Sequence, residues 1–218
     1  MHYTALKNCK HFFDTYGQYV GGDGQKIMVV DIGSQDVNGS LKSTLPSGFD
    51  YVGVDFVEGK GVDVVITDPY KLPFPDASFD VVLSSSCFEH AEMFWLVFLE
   101  IMRVLKPNGL FYLNAPSNGA FHRWPVDCWR FYPDSGNALV SWAKRNNINA
   151  ALLESYTGVQ ELDLWNDFVA VFIKDENAVN KYPRRILDSK SDVTNGLVYG
   201  SNEFINYTEP TQDQRMKR

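Results

Sequence analysis

A short apolar run that ends in a glycine turn is the feature that most constrains this chain. Ile27 to Ile32 are almost all apolar and rich in β-branched residues, a pattern that predicts a strand buried on both faces of a parallel sheet. Gly33 suits the turn that leaves such a strand, and Asn38 to Ser40 offer helix-capping chemistry before Leu41. Ligands of open α/β sheets bind at the carboxyl ends of the strands, so residues 31–39 form the predicted binding loop.

The next apolar run ends in a carboxylate that suits a ribose. Residues 51–55 predict a second strand, and Asp55 at its end could accept two hydrogen bonds from a ribose diol. A pyrophosphate needs a glycine-rich turn, but Ser34, Gln35 and Asp36 follow Gly33 here. The carboxylate of Asp36 would repel phosphates. The sequence therefore favours a cofactor that has a ribose, no phosphate and a positive charge of its own.

Five motifs, in chain order, carry a family resemblance. They are Asp31-Ile-Gly-Ser followed by Gly39, Asp55, Thr67-Asp-Pro, Leu72 to Val82, and Glu89-His with Arg103 to Leu110. Together they resemble the class I S-adenosylmethionine-dependent methyltransferases of the type 11-like group, strongly over residues 27–114. The resemblance implies an α/β, Rossmann-like fold, with a mostly parallel seven-stranded sheet, helices on both faces and an antiparallel final strand. The family usually carries two more glycines after the first, where this chain has Gln35 and Val37.

The resemblance also implies S-adenosyl-L-methionine as the cofactor. Asp68, after a third strand predicted over residues 61–67, is the candidate acceptor for the adenine amino group; the alternative is a turn aspartate before Pro69. Small residues after a fourth strand over residues 79–84 leave room for the sulfonium. The predicted cofactor-binding residues are Asp31, Gly33, Ser34, Gln35, Asp55, Phe56, Asp68, Pro69, Tyr70, Ser84 and Ser85.

Residues 116–133 predict a loop over the crevice, where substrate recognition concentrates. Its aromatic side chains could stack on a sugar ring, and its arginines could bind a carboxylate or a phosphate. The alternative is an aromatic lid that packs on itself, with the arginines paired to Asp127 and Asp134. The loop is similar to those of compact methyltransferases that modify bacterial surface sugars or their activated precursors. The predicted substrate-binding residues are Arg123, Trp124, Trp129, Arg130 and Tyr132.

Methyl transfer to a hydroxyl requires a general base as well as positioning. His122 is the predicted base, Asp127 its possible orienting partner and His90 the second candidate. His90 could instead be a structural hydrogen-bonding group at a helix start. No His, Asp or Cys cluster has metal-ligand spacing, so no metal is predicted.

The composition limits the classes of molecule that this chain is expected to bind. The net charge of −7 over 218 residues argues against nucleic acid and anionic membranes. The resemblance implies a small-molecule acceptor, such as a nucleotide sugar or a glycan precursor. The three cysteines form no C-x-x-C pair, so a disulfide framework or structural zinc is not predicted, and a cytoplasmic location is the expectation. Neither a signal-peptide pattern nor an apolar run of about 20 residues is present in the sequence. The oligomeric state is not predicted.

The remaining segments complete the predicted domain. Helices are expected over residues 2–20, 91–105 and 134–146, the last capped by Asp134, and strands over residues 109–115, 150–156 and 168–174. The N-terminal helix either covers a sheet edge or lines the pocket. The methyltransferase domain is placed at residues 1–174, with 1–24 as a helical cover, and residues 175–218 are an extension or tail.

Two other functions compete with methyl transfer. A nicotinamide-dependent oxidoreductase would share the fold, but Asp36 and the missing glycines disfavour it. A binding module without turnover is compatible with the altered glycine loop, but the loop that carries histidine and arginine disfavours it.

Overall fold

One sheet of eight strands runs through the molecule. The computed structural model describes residues 2–22, 24–161 and 164–208. The helices and strands are α1 (Tyr3–Tyr16), β1 (Ile27–Ile32), β2 (Phe49–Asp55), β3 (Val64–Val65), β4 (Phe79–Ser85), α2 (Phe94–Val104), β5 (Leu105–Pro116), α3 (Asp134–Arg145), β6 (Ala151–Gly158), β7 (Asp167–Ile173) and β8 (Val193–Val198). The strand order is β3-β2-β1-β4-β5-β7-β6-β8, in which the first five are parallel and β7 lies antiparallel between β5 and β6.

The sheet confirms the predicted fold class, but two strands differ from the prediction. β8 pairs antiparallel with β6, so the sheet has eight strands and its final strand is not β7. β3 has two residues rather than the seven predicted. The Asp63 side chain accepts a hydrogen bond from the Gly53 backbone at 2.8 Å, and Gly61 has a φ of +84°, so the chain enters this edge of the sheet late.

Each face of the sheet carries its own apolar core. α2 and α3 cover one face, where Phe98, Ile101 and Leu139 pack on inward residues of the strands. α1 covers the other face, where its buried side chains Phe12 and Tyr16 contact residues such as Tyr112. The helix predicted over residues 2–20 is therefore present and packs across a sheet face.

The segment between β1 and β2 departs from the expected helix at Leu41. Only the 3-10 helix Leu41–Thr44 forms, and the Ser40 hydroxyl caps it by accepting a hydrogen bond from Lys42 N. The hydroxyls of Ser43 and Thr44 bond to nearby backbone carbonyls, and Pro46 disfavours helical backbone at the residue before it. α1 packs beside this short turn, with Thr44 Oγ1 3.1 Å from Cys9 Sγ.

Two other helices begin differently from the prediction. Phe88–His90 is a separate 3-10 helix, and α2 begins at Phe94, so Glu89 and His90 precede the long helix instead of opening it. Asp134 is the first residue of α3 and not its cap; the Ser135 hydroxyl bonds to Tyr132 N instead.

Residues 176–188 pack on the α1 face of the sheet, and β8 follows at its border. Glu154 of β6 is fully buried, and its carboxylate accepts hydrogen bonds from the backbone N–H groups of Ile186 and Leu187 at 2.8 and 2.9 Å and from the Tyr16 hydroxyl. Part of the predicted extension therefore contributes to the core, and residues 209–218 of it lie outside the described residues. The domain boundary at residue 174 stays a prediction. Among the described residues, no helix combines the length and the apolar content that a bilayer crossing needs.

Candidate active site

The loop after β1 is closed tightly against the sheet. Gly33 has a φ of +84°, and a Cβ on it would lie 2.6 Å from the Cβ of Cys87, so only glycine fits this turn. The backbone N–H groups of Gly33 and Ser34 both donate to the Val54 carbonyl, at 2.9 and 3.1 Å. These contacts join the ends of β1, β2 and β4 at one edge, as the sequence predicted for the binding loop.

Asp55 sits at the centre of this edge. Its Oδ1 accepts hydrogen bonds from Phe56 N at 2.8 Å and Val57 N at 3.3 Å, and its Oδ2 accepts one from Gln35 N at 3.1 Å. A carboxylate has about four acceptor positions. Three are used, so Oδ2 retains one position for a ribose hydroxyl.

Gln35 and Asp36 are held by the loop that follows β2. Asp36 pairs with Lys60 at 2.6 Å and accepts from Gly39 N at 2.7 Å, and the bond to Lys60 lowers the pKa of the Asp36 carboxyl. Gln35 lies against Gly59, where a Cβ would come within 2.8 Å of the Gln35 Nε2. The negative charge of Asp36, which argues against a phosphate ligand, is therefore neutralised by Lys60.

At the carboxyl ends of β1 and β4, Asp31 and Ser85 each have a buried oxygen without a hydrogen-bond partner among the described residues. Ser84 Oγ donates to the Ile32 carbonyl at 2.9 Å, whereas Ser85 Oγ is buried and has no hydrogen-bond partner in the described part of the chain. Asp31 is 1% exposed; its Oδ2 accepts from the Tyr51 hydroxyl at 2.8 Å and its Oδ1 is buried without a partner. Burial raises the pKa of Asp31 to about 7.

The predicted adenine side of the site is open to solvent. Phe56 is 48% exposed beside Asp55. Asp68 and Pro69 are exposed, and Asp68 Oδ1 accepts from the backbone of Tyr70 at 2.9 Å. The Tyr70 hydroxyl in turn accepts from Met93 N at 3.4 Å. Asp68 thus makes the turn hydrogen bond considered from the sequence and still presents its other oxygen outward.

Beyond the end of β4, a buried carboxyl lies beside two imidazoles. Glu89 is 1% exposed, its Oε1 is 3.8 Å from His90 Nε2, and its Oε2 is buried without a partner. The rings of His90 and His122 are edge to face, with centroids 5.0 Å apart. Burial raises the pKa of Glu89 to about 8 and lowers that of His90. The structure therefore brings together the two predicted histidines and a third ionisable group.

The loop that carries His122 is braced by an ion pair. Arg130 contacts Asp127 through two hydrogen bonds of 2.6 and 2.9 Å, and this guanidinium holds the pKa of Asp127 well below its usual range. Asp127 Oδ2 also accepts from His122 N at 2.7 Å. Arg130 is thus engaged within the loop, as the alternative interpretation of the sequence described.

The predicted acceptor-binding aromatics form an exposed rim. Trp124 and Tyr132 are 58% and 62% exposed, and the neighbouring Trp129 donates its indole N–H to the Ala91 carbonyl at 3.0 Å. Arg123 is exposed and makes no hydrogen bond or ion pair with the described residues. The rim therefore offers flat apolar surface and one available cation.

Two parts of this site were not predicted from the sequence. Glu89 was treated only as part of a motif, although a glutamate beside a histidine after a buried strand was a signal for a buried ionisable group. A buried amide cluster under α1 was also missed: Asn114 lies between Asn8 and Asp167, at 3.1 Å from each. No local pattern joins three residues so far apart in the chain. Gly53, inside a strand, was an available signal for the close packing of the loop after β2, because a Cβ there would lie 2.0 Å from the Gly61 carbonyl.

Comparison with known proteins agrees with this arrangement. Residues 7–113 match the family model described as Methyltransferase domain. Residues 7–113 are therefore similar to a methyltransferase domain.

The matches to curated relatives cover only part of each chain. Residues of this chain are 41% identical over 71 positions to a phthiotriol/phenolphthiotriol dimycocerosates methyltransferase of Mycobacterium tuberculosis, a match that covers 31% of this chain and 25% of the relative. The chain thus spans about a quarter of the length of the curated relatives it matches first. The Burkholderia thailandensis 1,6-didemethyltoxoflavin-N1-methyltransferase superposes with a TM-score of 0.59 at 16% identity, covering 79% of each chain. A sarcosine dimethylglycine methyltransferase described as putative, from Galdieria sulphuraria, superposes with a TM-score of 0.58 at 13% identity, covering 79% of this chain and 86% of that one.

The described residues fit S-adenosylmethionine. The buried, unpartnered Oδ1 of Asp31 suits the positive amino group of the methionine part, Oδ2 of Asp55 suits a ribose hydroxyl, and Phe56 offers an exposed ring for adenine. When bound, the cofactor supplies an activated methyl group whose leaving group is a neutral thioether. The chain's own part is to orient that methyl toward the acceptor and to exclude water.

Proposed function

We propose that this protein transfers a methyl group from S-adenosylmethionine to a hydroxyl oxygen of a small acceptor. The observation that carries the proposal is the group of Glu89, His90 and His122, of which Glu89 and His90 follow β4, the strand that pairs with β1 and its binding loop. Methyl transfer to a neutral hydroxyl requires a place where the hydroxyl proton can be removed, and imidazole is the side chain best suited to that at neutral pH.

The hydrogen bonds of the two histidines support this role. His122 Nδ1 lies 3.2 Å from the Ala120 carbonyl, and His90 Nδ1 is bonded to the Val126 carbonyl. Since a carbonyl only accepts, these contacts favour a proton on each Nδ1 and a lone pair on each Nε2. At His122 Nδ1 the donor Arg130 Nη2, at 3.4 Å, opposes this tautomer, but the Ala120 carbonyl is closer. The Asp127 carboxylate, 3.4 Å from His122 Nδ1, favours the same tautomer. The predicted base His122, the second candidate His90 and the orienting role of Asp127 remain part of this proposal.

We propose a sugar or activated sugar as the acceptor. Trp124, Trp129 and Tyr132 can stack on the apolar face of a sugar ring, which is how aromatic side chains bind such rings without charge. Arg123 can pair with a phosphate or carboxylate of an activated sugar, while Arg130 acts by bracing the loop. A cytoplasmic location remains a prediction that agrees with such a substrate.

A hydroxyl-bearing lipid is the second candidate acceptor. The relatives matched over 71 residues are named as methyltransferases of phthiotriol and phenolphthiotriol dimycocerosates, and Phe121 adds a side chain that is 74% exposed to the apolar rim. An apolar rim can bind a lipid acceptor as well as a sugar ring.

Calorimetric titration tests the cofactor first. The protein is titrated in parallel with S-adenosylmethionine, S-adenosylhomocysteine and NAD. Micromolar binding of the first two without an NAD signal is expected; binding of NAD alone would establish an oxidoreductase, and binding of none would refute the proposed activity.

A radiolabel assay then tests the acceptor. S-adenosylmethionine with a labelled methyl group is incubated with nucleotide sugars in one series and with hydroxylated lipids in detergent in another. Label in a nucleotide sugar is the expected result, and label only in a lipid would replace the sugar proposal. Cofactor binding without label in either series would favour a binding module without turnover.

A further inference from the structure

We propose that Glu89, His90 and His122 form a site for one divalent transition-metal ion. The inference deepens the proposed function and rests on it only for the role of the metal in the reaction. Within the described residues these three side chains each offer a ligand atom, and all three atoms lie within 4.8 Å of one another. Two imidazoles and one carboxylate with open positions are a set that binds Zn²⁺, Fe²⁺ or related ions in other proteins.

The imidazoles are already oriented as metal ligands usually are. Metal-binding histidines donate their other ring N–H to a carbonyl or carboxylate, which fixes the ring and the tautomer. His90 donates Nδ1–H to the Val126 carbonyl and His122 donates Nδ1–H to the Ala120 carbonyl. Each Nε2 lone pair is therefore left to a ligand.

The buried side chain of Glu89 has an oxygen that no described residue satisfies. Glu89 is 1% exposed, its Oε2 has no partner in the described part of the chain, and its other oxygen is 3.8 Å from His90 Nε2. Arg130 is the nearby permanent cation, but its guanidinium is bound through two hydrogen bonds to Asp127. A buried polar oxygen without a partner is costly, and a bound cation would supply that partner.

Metal binding requires a small contraction of the site. At bond lengths of about 2.1 Å, ligand atoms in adjacent coordination positions lie roughly 3 to 3.5 Å apart. His122 lies on a loop, and its side chain is 38% exposed. This residue can therefore move toward the 3-10 helix that carries Glu89 and His90. We therefore expect the metal to order the loop and raise the stability of the protein.

The proposed metal supplies the proton-removal step of the methyl transfer. An acceptor hydroxyl bound to the ion has a lowered pKa, so its O–H bond breaks and the proton passes to solvent water. The resulting alkoxide attacks the methyl carbon, forming the C–O bond while the C–S bond breaks and S-adenosylhomocysteine leaves. In the metal-loaded protein His122 is then a ligand, and the ion replaces it as the group that activates the hydroxyl.

Titration with Zn²⁺ and Co²⁺ tests the site. Chelator-treated protein is titrated with each ion by calorimetry, and the Co²⁺ complex is followed by visible absorption. One ion per chain with a d–d spectrum of a site below six-coordination is expected. Glu89→Gln and His122→Asn should each weaken binding at least tenfold, whereas the matched control His11→Asn, on α1 outside the site, should leave it unchanged.

The outcomes separate this inference from the proposed function. No binding of either ion to the wild-type protein, or equal weakening by His11→Asn, would overturn the metal site. S-adenosylmethionine affinity is measured on the same samples, and its absence would refute the proposed function whatever the metal result. If Glu89→Gln fails to fold, His122→Asn decides, because its side chain is partly exposed and is not part of either apolar core.

Discussion

Asp31 and Asp55 end neighbouring strands, yet their carboxylates have different surroundings. Asp55 accepts three backbone N–H groups, which supply hydrogen bonds in place of lost water. Asp31 accepts one hydroxyl and keeps one buried oxygen without a partner, and burial raises its pKa to about 7. Two aspartates that look equivalent in the sequence therefore differ in what they require from a ligand.

The raised pKa of Asp31 predicts a pH-dependent stability. From its usual value of 3.8 up to about 7, the folded protein holds a proton on Asp31 that the unfolded chain has lost, so the free energy of unfolding falls as pH rises through this range. Asp31→Asn should remove this contribution, on the order of 3 kcal/mol. Urea unfolding of both proteins at pH 5 and pH 8 measures it. Equal pH dependence of the two proteins would show that Asp31 is ionised throughout.

Removal of the Asp55 carboxylate should weaken cofactor binding. Asp55→Ala is expected to reduce the S-adenosylmethionine affinity by on the order of 1.5–3 kcal/mol, the scale of a hydrogen bond to a charged group. Calorimetric titration provides the dissociation constants. Asp50→Ala, on the same strand but in an exposed pair with Lys26, is the matched control and should not change the affinity. An unchanged constant for Asp55→Ala would refute the ribose assignment.

At the scale of elements, Glu154 links three segments. Its carboxylate receives the Tyr16 hydroxyl from α1 and two backbone N–H groups from the 3-10 helix Ile186–Asp188. The residue lies on β6, so one side chain fastens both flanking segments to the sheet. These hydrogen bonds hold the polar segment that follows β7 against the apolar α1 face of the sheet.

Glu154→Leu should destabilise the protein by roughly 3 kcal/mol or more, because it leaves three buried donors without an acceptor. Chemical denaturation measures the loss, and proteolysis of residues 176–198 should become faster. Glu92→Leu, at an exposed position before α2, should unfold at the same denaturant concentration as wild type. A variant at residue 154 with wild-type stability and protease resistance would show that Glu154 does not fasten the segment.

The elements that the sequence predicted are those with uninterrupted apolar runs. β1, β2, β4, β5, β6 and β7 and the three helices follow from periodicity and were predicted to within a few residues at most ends. β8 was missed because Thr194, Asn195 and Gly196 interrupt its pattern, and its pairing with β6 is a long-range contact. The meeting of the β1, β2 and β4 ends, where the cofactor is proposed to bind, followed from strand ends and glycines. The Glu89 cluster did not, since it depends on how the 116–133 loop folds back over the sheet.

At the scale of the whole molecule, the two cores share one sheet. The α1 face and the α2–α3 face bury separate apolar clusters, and β1, β4, β5, β6 and β7 contribute to both. Since the same strands support both clusters, loss of one face removes support from the other. We expect a single cooperative unfolding transition.

Phe12→Ala tests this coupling. Phe12 is fully buried and packs against Phe13, Tyr16 and Tyr112, so the variant should lose about 3–5 kcal/mol. Tryptophan fluorescence, which reports mainly on the opposite face and the loop, should shift together with circular dichroism. Phe121→Ala, which removes an exposed ring, should leave both transitions in place. Separate transitions for the two probes in Phe12→Ala would contradict a single cooperative unit.

The two-residue length of β3 has a consequence for how copies of the protein meet. An outer strand with a long row of free backbone groups is a template for pairing with another chain. β3 offers such a template over only Val64 and Val65, and at the opposite border Gly196 of β8 is bridged antiparallel to Ile205. Both outer strands therefore offer few free backbone groups for pairing with another chain. This protects the folded protein from strand-mediated aggregation at high concentration.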